Sequence, residues 1–220
     1  MKPHILYEDH DILVCLKSAG TPTQTNRPGL PDMVSILKNY LYQNSPSKKP
    51  PYLAVIHRLD QPVEGLLVFA KTPVAAKELN RQLQNFGFGK YYLAVLSGCP
   101  KTLDDTLEDF LVKDGRTNTS RVCSKETPGA KLARLTYHIE HTDGLHSLAQ
   151  IQLDTGRHHQ IRVQMAHLGC PIAGDRKYGT AETTFQQLQL FACRLEFLHP
   201  KTKKHMEFTH APDLTSIFRG

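Results

Sequence analysis

Between Leu145 and Leu168 the spacing of apolar side chains changes from every second residue to every third or fourth, and the change falls at a single glycine. Ala149, Ile151 and Leu153 alternate with Gln150, Gln152 and Asp154, the period of a strand with one face buried. Beyond Gly156, the residues Ile161, Met165 and Leu168 share one face of a helix that Gly169 closes. Arg162 leaves that helix from a different side. A strand, a glycine and a short helix in succession make a rigid mount for a charge.

Elsewhere strand patterns outnumber helical ones. Ile12–Leu16 reads as a buried strand, residues 21–31 as a polar loop, and Asp32–Leu41 as a short helix. The prolines of Ser45–Pro51 forbid regular structure and leave Lys48 and Lys49 in an exposed loop. Leu66–Ala70 is apolar throughout, as a buried strand requires. Thr72 and Pro73 supply a cap and a first-turn proline for a helix with Ala75, Leu79 and Leu83 on one face, and Gly87 and Gly89 end it. Tyr91–Leu96 alternates as a strand. Leu188–Phe197 and His205–Phe208 flank the turn His199-Pro200-Lys201-Thr202 and read as a hairpin. Pro100–Pro128 is polar and irregular, and no element is assigned there. With no internal repeat and no regular alternation of strands and helices, the expected class is α+β, built on a mixed, largely antiparallel central sheet with flanking helices.

The 220 residues suffice for one large domain or two small ones with a core that needs no staples. Cys15, Cys99, Cys123, Cys170 and Cys193 are odd in number and never spaced C-x-x-C, which argues against a disulfide framework and a zinc knuckle. No apolar stretch approaches a membrane span and the first residues lack a signal-peptide core, so a cytoplasmic protein without membrane contact is expected. The formal net charge of +6 and a sequence pI of about 9.0 are compatible with a polyanionic partner.

The run His57-Arg58-Leu59-Asp60 places an acid, flanked by an arginine, just ahead of Gly65 and the Leu66–Ala70 strand. On its own an acid ahead of a buried strand is more often a turn residue or a surface ion pair than a reactive carboxylate. A second run, Gly156-Arg157-His158-His159-Gln160-Ile161-Arg162-Val163, continues to Pro171-Ile172-Ala173-Gly174-Asp175 and Tyr178-Gly179. Lys90-Tyr91-Tyr92-Leu93-Ala94, the opening Ile5–Asp9 and the closing Phe197–Thr202 add further matches. In this order the runs resemble the RluA-type pseudouridine synthases, over nearly the whole chain. There are departures: Val63-Glu64 stand where the family has Thr-Ser, Ser18 replaces a proline, His158 a threonine and Phe191 a histidine. Glu64 would add negative charge close to an RNA backbone.

The resemblance implies a pseudouridine synthase catalytic fold with a cleft between two lobes. It also implies a single catalytic domain over residues 1–220 without a separate N-terminal RNA-binding domain, acting as a monomer. It implies isomerisation of specific uridines in structured RNA, a ribosomal or transfer RNA stem-loop, with no cofactor and no metal. Asp60 would be the catalytic carboxylate, Arg162 its ion-pair partner, and Tyr92 the residue packed against the target base. Arg58 would fill the gap left by the extruded uridine or contact a phosphate. RNA contacts are also expected from His57, Lys90, Arg157 and His159, the two histidines chiefly as buttresses.

Two rivals stand beside this reading. Metal hydrolysis is suggested by His158, His159 and His167, but His159 and His167 lie two helical turns apart, about 12 Å, too far for one ion. A degenerate synthase that only grips RNA would have no need of Asp60, Tyr92 and Arg162 together.

Overall fold

A computed structural model describes residues 2–46, 49–85, 87–179, 185–212 and 214. The chain divides into two compact units, residues 1–89 with 192–210, and residues 90–191 with 211–220.

The first unit contains β1 (His4–Glu8), β2 (Ile12–Lys17), α1 (Met33–Asn44), β3 (Ala54–Val55), β4 (Glu64–Ala70) and α2 (Pro73–Gln84). Most of β10 (Leu190–Leu198) and β11 (His205–Thr209) complete it. β2 lies between β1 and β4, β10 lies between β4 and β11, and the pairs β1–β2, β2–β4, β3–β4 and β10–β11 are antiparallel. β4 is buried along nearly its whole length, which explains its unbroken apolar sequence. Ile12, Val14, Leu66, Val68, Leu79, Phe88, Leu195 and Phe197 form the core between these strands and α2. Each such side chain contributes about 1.5–3 kcal/mol on burial. Gly65 is required by close approach: its φ is +136°, and a Cβ would lie 2.6 Å from the backbone N of Ala192, closer still to its carbonyl oxygen.

Both helices of this unit start where their caps dictate. Asp32 accepts from the Ser35 N–H at 2.7 Å and its own N–H donates to Ser35 Oγ at 3.0 Å, a reciprocal capping box. Thr72 Oγ1 accepts from the Ala75 N–H at 3.2 Å, with Pro73 opening the helix. α1 runs three residues beyond the expected Leu41. Gly87 closes α2 by donating to Gln82 O at 3.0 Å, whereas Gly89, expected to help end that helix, lies inside the following strand. Residues 47 and 48 of the proline-rich loop lie outside the described residues; the remainder has no helix or strand.

The second unit is an antiparallel sheet with one helix: β5 (Phe88–Ser97, its first two residues belonging to the first unit), β6 (Asp104–Asp114), β7 (Thr119–Cys123), β8 (Lys131–Thr142), β9 (His146–Leu153) and α3 (Gln160–His167). The order is β5-β9-β8-β6-β7. β9 alternates as expected, burying Ser147, Ala149, Ile151 and Leu153. β6 and β7 occupy the region left without elements. β6 is exposed along most of its length, so it carries polar residues on both faces and offers no period to read.

α3 differs from its expected amphipathic form. Gln160 through Met165 are all buried, including Arg162 at 4 % exposure and Gln164 at 1 %. Its first turn is set by His159, which adopts a left-handed φ of 55°. It ends as expected at Gly169, φ +90°.

Candidate active site

In the first unit, Asp60 sits in the turn between β3 and β4, half-buried, and the backbone on both of its sides is pinned. On one side, Thr23 Oγ1 donates to Leu59 O at 3.0 Å and accepts from Leu59 N at 3.1 Å. On the other, Gln61 O accepts from Gly20 N at 2.9 Å and from Lys17 Nζ at 3.0 Å, while Gln61 Nε2 returns a bond to Gly20 O at 2.9 Å. Asp60 O itself accepts from Val63 N at 3.0 Å.

Lys17 is fully buried and also donates to Ser18 O at 3.2 Å and Thr21 O at 2.7 Å. Burial pulls its pKa down to about 8, against the opposing pull of the Asp60 and Glu64 carboxylates. The loop after β2 is thus tied to the Asp60 turn by one ammonium and one hydroxyl. Sequence reasoning missed both residues, because their acceptors are carbonyls brought near only by folding. Arg58 is exposed. His57 accepts the Val68 N–H on Nε2 at 3.4 Å and packs edge-on against Phe88, the expected buttress. Glu64 lies 3.5 Å from His210.

The second unit carries Lys90, Tyr92, Arg157, His159 and Arg162. β5 turns Lys90 and Tyr92 to its buried face, both 7 % exposed, and leaves Tyr91 half-buried on the other. Arg162 makes a two-pronged pair with Asp175: Nε donates to Oδ2 and Nη2 to Oδ1, each at 2.7 Å. Both side chains are buried. Burial would raise the Asp175 pKa, but Arg162 and the N–H groups of Lys177 (2.9 Å) and Tyr178 (3.2 Å) hold it below the ordinary carboxylate value. The pairing with Asp154 that a surface arginine would make is taken instead by Arg134, at 3.3 Å.

Around this pair lies a second layer. The Arg162 guanidinium stands 5.2 Å from the centroid of the Tyr178 ring. Tyr178 OH accepts from Ser120 N at 2.7 Å and meets His159 Nδ1 at 2.7 Å. Burial, with the charges of Arg162 and Lys177, lowers the His159 pKa to about 4. The imidazole is therefore neutral near pH 7 and shares a hydrogen bond with the Tyr178 hydroxyl through Nδ1. His158 stacks on His159 at 3.7 Å and meets Ser120 Oγ at 2.9 Å. His159 is thus a buttress of the arginine mount. Asp175 and Tyr178 were within the quoted motif but had been given no role; a helix arginine on a fully buried stretch is the signal that demands such a carboxylate.

Arg157 is exposed, its Nε held by Leu132 O at 2.7 Å. Among the described residues no group of three or more His, Cys, Asp or Glu side chains is placed to hold a metal ion.

Residues 11–167 match the family described as RNA pseudouridylate synthase. An uncharacterized RNA pseudouridine synthase of Bacillus subtilis is 33 % identical over 201 residues, which cover 90 % of this chain and 65 % of the relative. Ribosomal large subunit pseudouridine synthase D of Vibrio cholerae is 34 % identical over 223 residues, covering 95 % and 67 %. Among solved structures, human RNA pseudouridylate synthase domain containing 4 superposes with a TM-score of 0.78 at 21 % identity, covering 96 % of this chain and 89 % of that one. Human RNA pseudouridylate synthase domain containing 1 does so with 0.77 at 24 %, covering 98 % and 86 %. The fold is the α+β fold of the pseudouridine synthases, and the chain belongs to the RNA pseudouridylate synthase family. It spans about two thirds of the length of the curated relatives it matches.

Proposed function

We propose that this protein isomerises specific uridines of structured RNA, ribosomal or transfer, to pseudouridine, with both units together forming one catalytic domain. The reaction breaks the bond between ribose and the base nitrogen, turns the uracil, and rejoins it through carbon 5. Atoms balance without a cofactor: the proton lost from carbon 5 is replaced at the nitrogen. Asp60 acts as nucleophile or base. Arg162 keeps it ionised and oriented. Asp175 takes the Nε–Nη2 edge of that guanidinium. Tyr92 packs against the detached base, and Arg58 takes the place of the extruded uridine or grips a phosphate.

The observation that carries this reading is the immobilisation of Asp60. Thr23 and Lys17 fix the backbone before and after it by a hydroxyl and an ammonium that are themselves buried, in a family defined by this reaction. Rigid placement of a carboxylate is what a reaction at one carbon needs. The +6 net charge fits an RNA partner. The protein acts as a monomer in the cytoplasm. Among the described residues no helix is long and apolar enough to cross a membrane.

The test is tritium release. RNA labelled at carbon 5 of uridine, incubated with the protein, should lose label to water while the RNA chain stays intact. Free uracil or cut RNA as the main product would replace isomerisation by hydrolysis.

A further inference from the structure

We infer that Lys90, Gly156 and Arg157 form a phosphate subsite, which holds the RNA backbone beside the uridine packed on Tyr92. The inference rests on the isomerase reading and adds to it where the substrate's backbone is gripped.

The placement follows from strand register. β5 and β9 run antiparallel with Tyr92 opposite Ile151 and Tyr91 opposite Gln152, so the start of β5 lies beside the end of β9. There the chain leaves as Asp154-Thr155-Gly156-Arg157. Lys90 reaches across to it: its Nζ lies 3.5 Å from where a Cβ on Gly156 would stand. The ammonium therefore rests against bare, solvent-exposed backbone that no side chain shields.

The charge there is balanced only through space, by Asp154. Lys90 is 7 % exposed and its Nζ lies beside the exposed backbone of Gly156. Asp154 pairs with Arg134. Arg157 brings a second cation, aimed by its bond to Leu132 O. A desolvated ammonium with three donors and a like charge for a neighbour is costly to keep. An incoming oxyanion relieves both costs: it accepts from the ammonium, neutralises the repulsion, and meets the backbone where the glycine leaves room. Burial and Arg157 lower the Lys90 pKa to about 8, opposed by Asp154, so the site still carries its proton near neutral pH. Lys90 and Tyr92 share the buried face of β5 two residues apart, about 6.6 Å along the strand, a separation that one nucleotide can span between phosphate and base.

The first arm uses the full chain and inorganic phosphate. Phosphate should raise the melting temperature of the wild type. It should leave Lys90→Met unshifted and still shift Lys90→Arg, which keeps the cation. Lys90→Met should itself be no less stable than wild type, because it removes a buried ammonium that has the like charge of Arg157 for a neighbour; a purely structural lysine would give the opposite. The second arm uses a uridine-bearing RNA stem-loop: Lys90→Met should flatten the slope of log Kd against log salt by about 0.7 to 1. Equal phosphate shifts in wild type and Lys90→Met would overturn the subsite. A phosphate shift with an unchanged salt slope would overturn its assignment to RNA. Neither arm needs turnover, so failure here is separate from failure of tritium release.

Discussion

Asp60 and Arg162 are held in place by opposite means. The first unit fixes its acid through the main chain: Thr23, Gly20 and Lys17 bind the peptide groups of Leu59 and Gln61, so side-chain donors hold a backbone and the carboxylate rides on it. The second unit fixes its arginine through the side chain, by a buried carboxylate with two 2.7 Å bonds and an aromatic ring beneath. Asp60 is half-buried, and its position is enforced through the backbone. A guanidinium 4 % exposed also needs a counter-charge, and Asp175 supplies it.

That contrast predicts unequal damage. Asp175→Asn keeps the shape but leaves Arg162 buried without an anion, and should cost about 3–5 kcal/mol in urea denaturation. A loss under 1 kcal/mol would mean that the pair is dispensable. Lys17→Met removes the donor from three carbonyls and should cost about 1–3 kcal/mol, with a larger proportional loss of turnover than of RNA affinity.

The same variant has a pH signature. The folded pKa of Lys17, about 8, lies below its ordinary value of 10.5. Between those values the unfolded chain binds more protons than the folded one, so the Lys17 contribution makes stability rise with pH through that window. Lys17→Met should lose this component and keep the similar one from Lys90, whose folded pKa is also about 8. An unaltered rise in the variant would relocate its source. The smallest effect belongs to Thr23→Val, which removes the two bonds to Leu59 with little change of volume. It should cost about 1 kcal/mol and lower kcat without raising KM. A rise in KM alone would separate Thr23 from the placement of Asp60.

The elements carrying these mounts were legible where one face of a strand or a capped helix was apolar. β4, β5, β9 and α2 match their expected periods, and the Asp32 and Thr72 caps fall where the residues say. β6 and β7 were not read, because β6 is solvated on most of its length; β8 was missed although buried Ala133, Leu135, Tyr137 and Ile139 alternate with the more exposed Arg134, Thr136, His138 and Glu140, a legible period. Asp60, Tyr92 and Arg162 were legible by resemblance. The supports were not: Asp175 lies 13 residues from Arg162, and Thr23 lies 36 from Leu59. No local pattern encodes such pairings, which follow from the fold.

The central claim is that Asp60 chemistry makes pseudouridine. The direct measurement is to map pseudouridines in RNA from cells lacking this protein, after incubation with the wild type or with Asp60→Asn at matched RNA occupancy. Wild type should add pseudouridine at defined uridines, and Asp60→Asn should bind the same RNA and add none. Pseudouridine made at the same positions by Asp60→Asn would contradict the assignment of the whole site.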